Sequence, residues 1–212
     1  MSTVYVVTHP EASHHTDGLV GGWFDSTLTT RGHRQAESIA RRLVELLEGR
    51  QTTLYSSTLT RTLQTAAPIG ERLGVEVVEL ADLREKSYGV AGGRPQRWLD
   101  ERFIFPPEVG ERMAHDEGIE GAETKLQWVT RAYRALEEIE RDGAEQRVVV
   151  THAGTANWVI AAWLRLPVEA CSYAHFELGS GGITTLVDGG PFGNRTLRSL
   201  DDRAHLINLR SS

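Results

Sequence analysis

Short apolar runs rich in β-branched residues recur along the chain, each followed by a longer stretch with helical periodicity. Runs at residues 3–7, 53–55 and 147–150 are bounded by turn residues, and a fourth at 75–80 mixes valine with glutamate. Runs this short, without strict polar alternation, suit strands buried on both faces of a parallel sheet. Between them, residues 30–47 place Ala36, Ile39, Ala40, Leu43 and Leu47 at helical spacing, and Gly49 follows as a stop. Residues 58–73 and 123–141 read the same way, and 154–164 reads as a mostly apolar, buried helix. Strands alternating with helices require βαβ crossovers, which coat both faces of the sheet. The expected fold is α/β, a three-layer α/β/α sandwich around a mostly parallel sheet. Strand-like runs at 173–178, 182–187 and 195–200, separated by glycine and proline turns, are expected as antiparallel edge strands. Residues 89–119, with Gly92-Gly93, Pro95 and Pro106-Pro107, fit no regular pattern and are expected to form a lid insertion. A length of 212 residues suits a single domain, 1–212.

Composition narrows the function classes. A net charge of −6 argues against nucleic-acid binding, which calls for a basic face. The single cysteine, Cys171, cannot form an internal disulfide, so nothing points to an oxidising compartment. The first residues lead straight into a strand-like run without a basic and apolar leader, and no apolar run approaches the roughly 18 residues of a membrane span. A cytoplasmic protein without a membrane partner is expected.

In open parallel sheets, ligands bind beyond the carboxyl ends of the strands. Three chemically capable groups fall there. His9 follows the run ending at Val7, Ser56, Ser57 and Arg61 follow the run ending at Tyr55, and His152 follows Val150 just before a helix. A helix N-terminus offers free N–H groups and a positive dipole end to an oxyanion. Two histidines and an arginine at such places suggest a phosphate cradle that needs no metal. Each taken alone has a plainer reading, as a polar loop residue or an exposed helical charge.

Four segments occur in order: Thr8-His9-Pro10-Glu11, Ser56-Ser57-Thr58-Leu59-Thr60-Arg61-Thr62-Leu63-Gln64-Thr65-Ala66, Leu83-Arg84-Glu85-Lys86-Ser87-Tyr88-Gly89 and Thr151-His152-Ala153-Gly154. Together they resemble the signature segments of the histidine phosphatase (phosphoglycerate-mutase-like) superfamily. Further matches lie in Gly22-Trp23-Phe24-Asp25-Ser26-Thr27-Leu28-Thr29 and in residues 200–206, so the likeness spans nearly the whole chain. The resemblance implies that His9 is the nucleophile that becomes phosphohistidine, that Arg61 binds the phosphoryl oxygens and that His152 stabilises their charge. It implies Glu85 as the proton donor to the leaving oxygen. No cofactor and no metal are implied, and the partner is a small phosphorylated substrate.

One departure matters. The family's first signature reads Arg-His-Gly, and here it is Thr8-His9-Pro10. Thr8 is left to contact the phosphate where a bidentate arginine would, a loss on the order of 2–3 kcal/mol, or roughly 30- to 150-fold. Pro10 has no N–H to offer an oxyanion. His14 and His15 are expected to compensate by folding over the pocket as protonated imidazoles, active at acidic pH. The expected function is a metal-independent phosphatase of a small phosphorylated metabolite. The alternatives are a phosphoglycerate-type mutase and a weakly active or non-catalytic relative that binds a phosphorylated ligand. Arg97, Trp98, Arg102, Phe103 and Phe105 are candidates for lining a ligand site, with packing the better expectation for the aromatics. Exposed edge strands leave a homodimer open.

Overall fold

A computed structural model describes residues 2–189 and 192–209. Six strands, β1 (Thr3–Thr8), β2 (Thr52–Ser56), β3 (Val77–Glu79), β4 (Gln146–Thr151), β5 (Ile183–Gly189) and β6 (Asn194–Asp202), form one sheet in the order β3-β2-β4-β1-β5-β6. The first four pair in parallel, and β5 runs antiparallel to both β1 and β6. Every residue of β1 and β4 is buried, as expected for central strands covered on both faces.

The helices are α1 (Ser13–Thr16), α2 (Thr30–Leu47), α3 (Thr60–Leu73), α4 (Gln96–Asp100), α5 (Lys125–Glu140) and α6 (Ala153–Trp163). Strand pleating divides the core between two layers. Tyr5, Val7, Leu54, Val148 and Val150 face Ile39, Leu43 and Leu47 of α2 and Ile69 of α3. Val4, Val6, Tyr55 and Val149 face Leu136 and Ile139 of α5 and Val159, Ile160 and Trp163 of α6. The sandwich is therefore the one expected. Helix α2 starts where the Thr29 hydroxyl accepts from Gly32 N–H, and it ends at Glu48 and Gly49, both left-handed.

Two boundaries differ from expectation. Helix α3 begins at Thr60, because the Ser57 hydroxyl takes the Leu59 N–H and holds 57–59 as a turn. Residues 173–178 form no strand. Phe176 N–H goes to the Asn157 side chain, and Phe176 and Leu178 pack on the core as an irregular segment while β5 takes the place beside β1. Between 89 and 119 only α4 is α-helical, and Val20, Ala91, Leu99 and Ile119 form a small core with Tyr88, Trp98 and Phe103 against it.

Leu43 is completely buried between α2 and the sheet. Leu43→Ala is expected to lower stability by about 2–5 kcal/mol in urea unfolding, while the exposed Val44→Ala changes it by less than about 1 kcal/mol.

Candidate active site

The strand register brings the chemistry together. Thr8 pairs with Thr151, so His9 and His152 leave adjacent strands at the same height, and His9 N–H continues the ladder to the Thr151 carbonyl at 2.9 Å. Ser57 N–H does the same with the Val150 carbonyl at 3.0 Å. The following turn starts α3, which carries Arg61 in its first turn. Asp25 fixes that start, accepting from Thr60 N–H and hydroxyl at 2.7 Å each. His9, His14, His15, Arg61 and Glu85 all line one cavity of 490 Å³.

Arg61 is almost fully buried and its guanidinium is committed on every nitrogen. Nε donates to His9 Nε2 at 3.2 Å, and the terminal nitrogens donate to the carbonyls of Phe24 at 2.8 Å and Gly22 at 2.7 Å. Burial pulls its pKa down to about 10, with Glu85 and Asp25 opposing, so it stays charged at neutral pH.

Hydrogen bonds assign the His9 and His15 tautomers. His9 Nδ1–H donates to the Pro10 carbonyl at 2.8 Å, which leaves Nε2 unprotonated, its lone pair accepting from Arg61 Nε–H. Pro10, unable to donate, thus serves as an acceptor. The Ala12 N–H donates to His15 Nδ1 at 3.2 Å, so the His15 proton sits on Nε2. The Ser57 hydroxyl receives from Leu59 N–H and meets His152 Nε2 at 2.9 Å. His152 Nδ1 is buried, outside the cavity lining, and has no partner among the described residues. The rings of His9 and His152 stand edge-on, 5.1 Å apart.

Burial holds all four histidines neutral. It dominates the downward shifts of His9 and His152, with Arg61 adding to both. His14 falls to about 3 through burial, His15 and Arg61, and His15 is lowered by burial and Arg61 despite Glu11. These downward shifts count against protonated His14 and His15 near neutral pH. The two do fold against His9, with ring centroids 5.9 and 5.5 Å away, but as neutral imidazoles. His14 Nδ1 meets the Ser26 hydroxyl at 2.6 Å. Among the described residues, His9, His14 and His15 carry ring nitrogens within 4.8 Å of one another and form the group that could hold a metal ion.

Thr8 departs from expectation as well. Its hydroxyl donates to the Gly179 carbonyl at 2.6 Å and accepts from Gly182 N–H at 3.0 Å, so it braces the turn before β5 and does not line the cavity.

Glu85 is held at the start of α6. Its carboxylate accepts from Lys86 N–H and Gly154 N–H, each at 3.0 Å, and from the Thr155 hydroxyl at 3.2 Å. The Arg131 guanidinium anchors its backbone carbonyl at 2.7 Å. Burial raises the Glu85 pKa and outweighs the lowering from these bonds and from Arg61.

A family model described as the histidine phosphatase superfamily (branch 1) matches residues 4–195. The chain belongs to that superfamily. Within it, the chain is 32% identical over 176 residues to a Yersinia pestis protein named "probable phosphoglycerate mutase GpmB", covering 80% of this chain and 78% of the other. Histidine phosphatase structures share its fold. The alpha-ribazole phosphatase of Shigella flexneri aligns with a TM-score of 0.78 at 22% identity, over 95% of this chain and 97% of that one. A phosphoserine phosphatase from Entamoeba histolytica, in complex with 3-phosphoglyceric acid, aligns with a TM-score of 0.73 at 22% identity, over 98% and 100%. Membership makes the chain a phosphatase or mutase of histidine phosphatase type. Among the described residues, no helix is long and apolar enough to cross a membrane.

Several groups at this histidine phosphatase site were not singled out in the sequence. Val20, Tyr88, Gln96, Leu99 and Trp128 line the cavity, whereas Arg97, Trp98, Arg102, Phe103 and Phe105 do not. Trp98 and Phe103 pack instead, Arg102 stacks on Trp98, Arg97 pairs with Glu101, and Phe105 is exposed.

Two outcomes follow. Thr8→Val is expected to cost about 1–3 kcal/mol by leaving the Gly179 and Gly182 groups unpaired, read from urea midpoints. For His14 the folded pKa, about 3, lies below the ordinary 6.5, so the unfolded chain binds more protons between those values. Its contribution is complete above pH 6.5 and lost as pH falls toward 3. Unfolding midpoints are expected to drop across that window, and less steeply in His14→Gln; equal slopes would refute the assignment.

Proposed function

We propose that the protein is a metal-independent phosphomonoesterase working through a phosphohistidine at His9. The observation that carries this reading is a buried His9 that lines the cavity with its proton held on Nδ1, so that Nε2 is unprotonated and accepts only from Arg61. Glu85, with a raised pKa, lines the same cavity. Nε2 attacks phosphorus as the ester P–O bond breaks, and the Glu85 carboxyl gives its proton to the leaving oxygen. Glu85, now ionised, takes a proton from water as the water oxygen attacks phosphorus. The P–N bond breaks, releasing inorganic phosphate and restoring neutral His9.

Arg61 supplies fixed positive charge where the oxygens gain negative charge. The His15 Nε2–H adds a neutral donor at the cavity wall, and His152 supports the His9 ring edge-on from outside it. His15, with His14 beside it, then takes over part of the absent arginine's work by hydrogen bonding, which needs no acidic pH. Thr8 acts from behind, by holding the turn that closes the pocket floor.

A mutase is the second reading, favoured by the 32% identity to the protein named phosphoglycerate mutase. Net isomerisation of a phosphoglycerate without phosphate release would select it. A non-catalytic phospho-ligand binder would show neither turnover nor a phosphohistidine.

His9→Ala is expected to abolish phosphate release from p-nitrophenyl phosphate and the acid-labile phosphoenzyme together. Glu85→Gln is expected to slow phosphoenzyme formation by on the order of 10²–10⁴-fold. In the wild type that step should slow as pH rises through the raised Glu85 pKa, because the acid form is lost; the Gln variant should lack this limb. An unchanged pH limb in Glu85→Gln would remove Glu85 from the proton-donor role.

A further inference from the structure

Beyond the phosphoryl-handling groups, the cavity wall is largely apolar. Leu19 and Val20 come from the loop after α1, Tyr88 and Leu99 from the segment around α4, and Trp128 from α5. Gln96, Ser180 and the Tyr88 hydroxyl are its uncharged polar groups, and the Gln96 amide nitrogen donates to Asp100 at 2.8 Å.

The cations around this wall are committed. Arg61 uses all its nitrogens on His9 and two carbonyls. Lys86 is buried in an ion pair with Glu117 beneath the rings of Tyr88 and Phe103. Arg131 is forked onto Glu123 and onto the carbonyls of Asp82, Arg84 and Glu85. Arg94 donates to the Val90 carbonyl and lies over Trp98. Lys125 lines an adjoining cavity, where its ammonium lies over the Trp158 ring and donates to the Cys171 carbonyl. Arg31 and Arg203 lie beyond His15, paired with Glu11 and Asp201.

We infer that the cavity selects phosphate monoesters whose leaving group is uncharged and largely apolar, an alkyl or aryl alcohol, over those whose leaving group carries a carboxylate. A carboxylate against this wall loses its water and gains no cation in return, and an unpaired buried charge is strongly disfavoured. An apolar group there displaces water from Val20, Leu99 and Trp128 and gains by its area. The inference rests on the proposed function only in seating the phosphoryl group at His9. It separates this chain from any relative acting on a phosphorylated carboxylic acid.

The test uses non-hydrolysable ligands, so that it is independent of turnover. Binding of benzylphosphonate and 3-phosphonopropionate to the whole protein is measured by titration calorimetry, with His9→Ala as a check that both occupy this cavity. Benzylphosphonate is expected to bind at least about tenfold more tightly. Gln96→Arg, at an exposed position on the cavity rim, is expected to narrow that ratio by tightening 3-phosphonopropionate. Equal or tighter binding of 3-phosphonopropionate by the wild type overturns the inference, as does failure of benzylphosphonate to bind. Hydrolysis of benzyl phosphate is assayed separately. If benzylphosphonate is preferred but benzyl phosphate is not turned over, the wall preference stands and the phosphatase reading falls.

Discussion

Arg61 is a buried cation without a carboxylate in contact, and the site is arranged around satisfying it. A charge out of water is tolerated only when hydrogen bonds compensate for the lost hydration. Here two carbonyls, of Gly22 and Phe24, and the lone pair of His9 do so. This requirement places the 22–25 loop, which in return caps α3 through Asp25. It aims His9 Nε2, and it lowers the proton affinity of every imidazole around it. In a chain of net charge −6, the positive potential at the cavity is a local construction built on one side chain.

Glu85 shows the opposite tuning in the same cavity. Two backbone N–H groups, a hydroxyl and a nearby guanidinium all favour its ionised form, yet burial prevails and keeps the proton on more firmly than usual. The balance is what a group needs if it is to give up a proton and take one back within a catalytic cycle. The helix start that holds it is the one His152 caps, so acid and histidine are positioned by one backbone element.

Much of this was readable from the chain. Valine-rich runs between helical stretches specify a covered parallel sheet, and strand ends followed by His9, Arg61 and His152 specify where its chemistry gathers. What could not be read depends on burial or on distant partners. The neutral state of His14 follows from its burial, with the His15 and Arg61 charges adding to it, which no local pattern reveals. The Thr8 hydroxyl finds a carbonyl 171 positions away. The 173–178 run has strand composition, but its neighbour in the sheet is supplied by β5 instead. Val20, Gln96 and Leu99 reach the cavity from stretches without periodicity, where only the folded path decides which side chains face inward.

The clamp between Thr8 and the 179–182 turn has a consequence for the order of events during synthesis. Strand β1 is made well before its antiparallel neighbour β5 and the turn that grips the Thr8 hydroxyl. Until then one edge of β1 has no hydrogen-bonding partner and the pocket floor is open, however completely the parallel half has assembled. Such non-local closure is slow and leaves an exposed edge on the nascent chain. A strand made early is thus locked late, and the residue directly after β1, His9, gains its final setting only once β5 has been added.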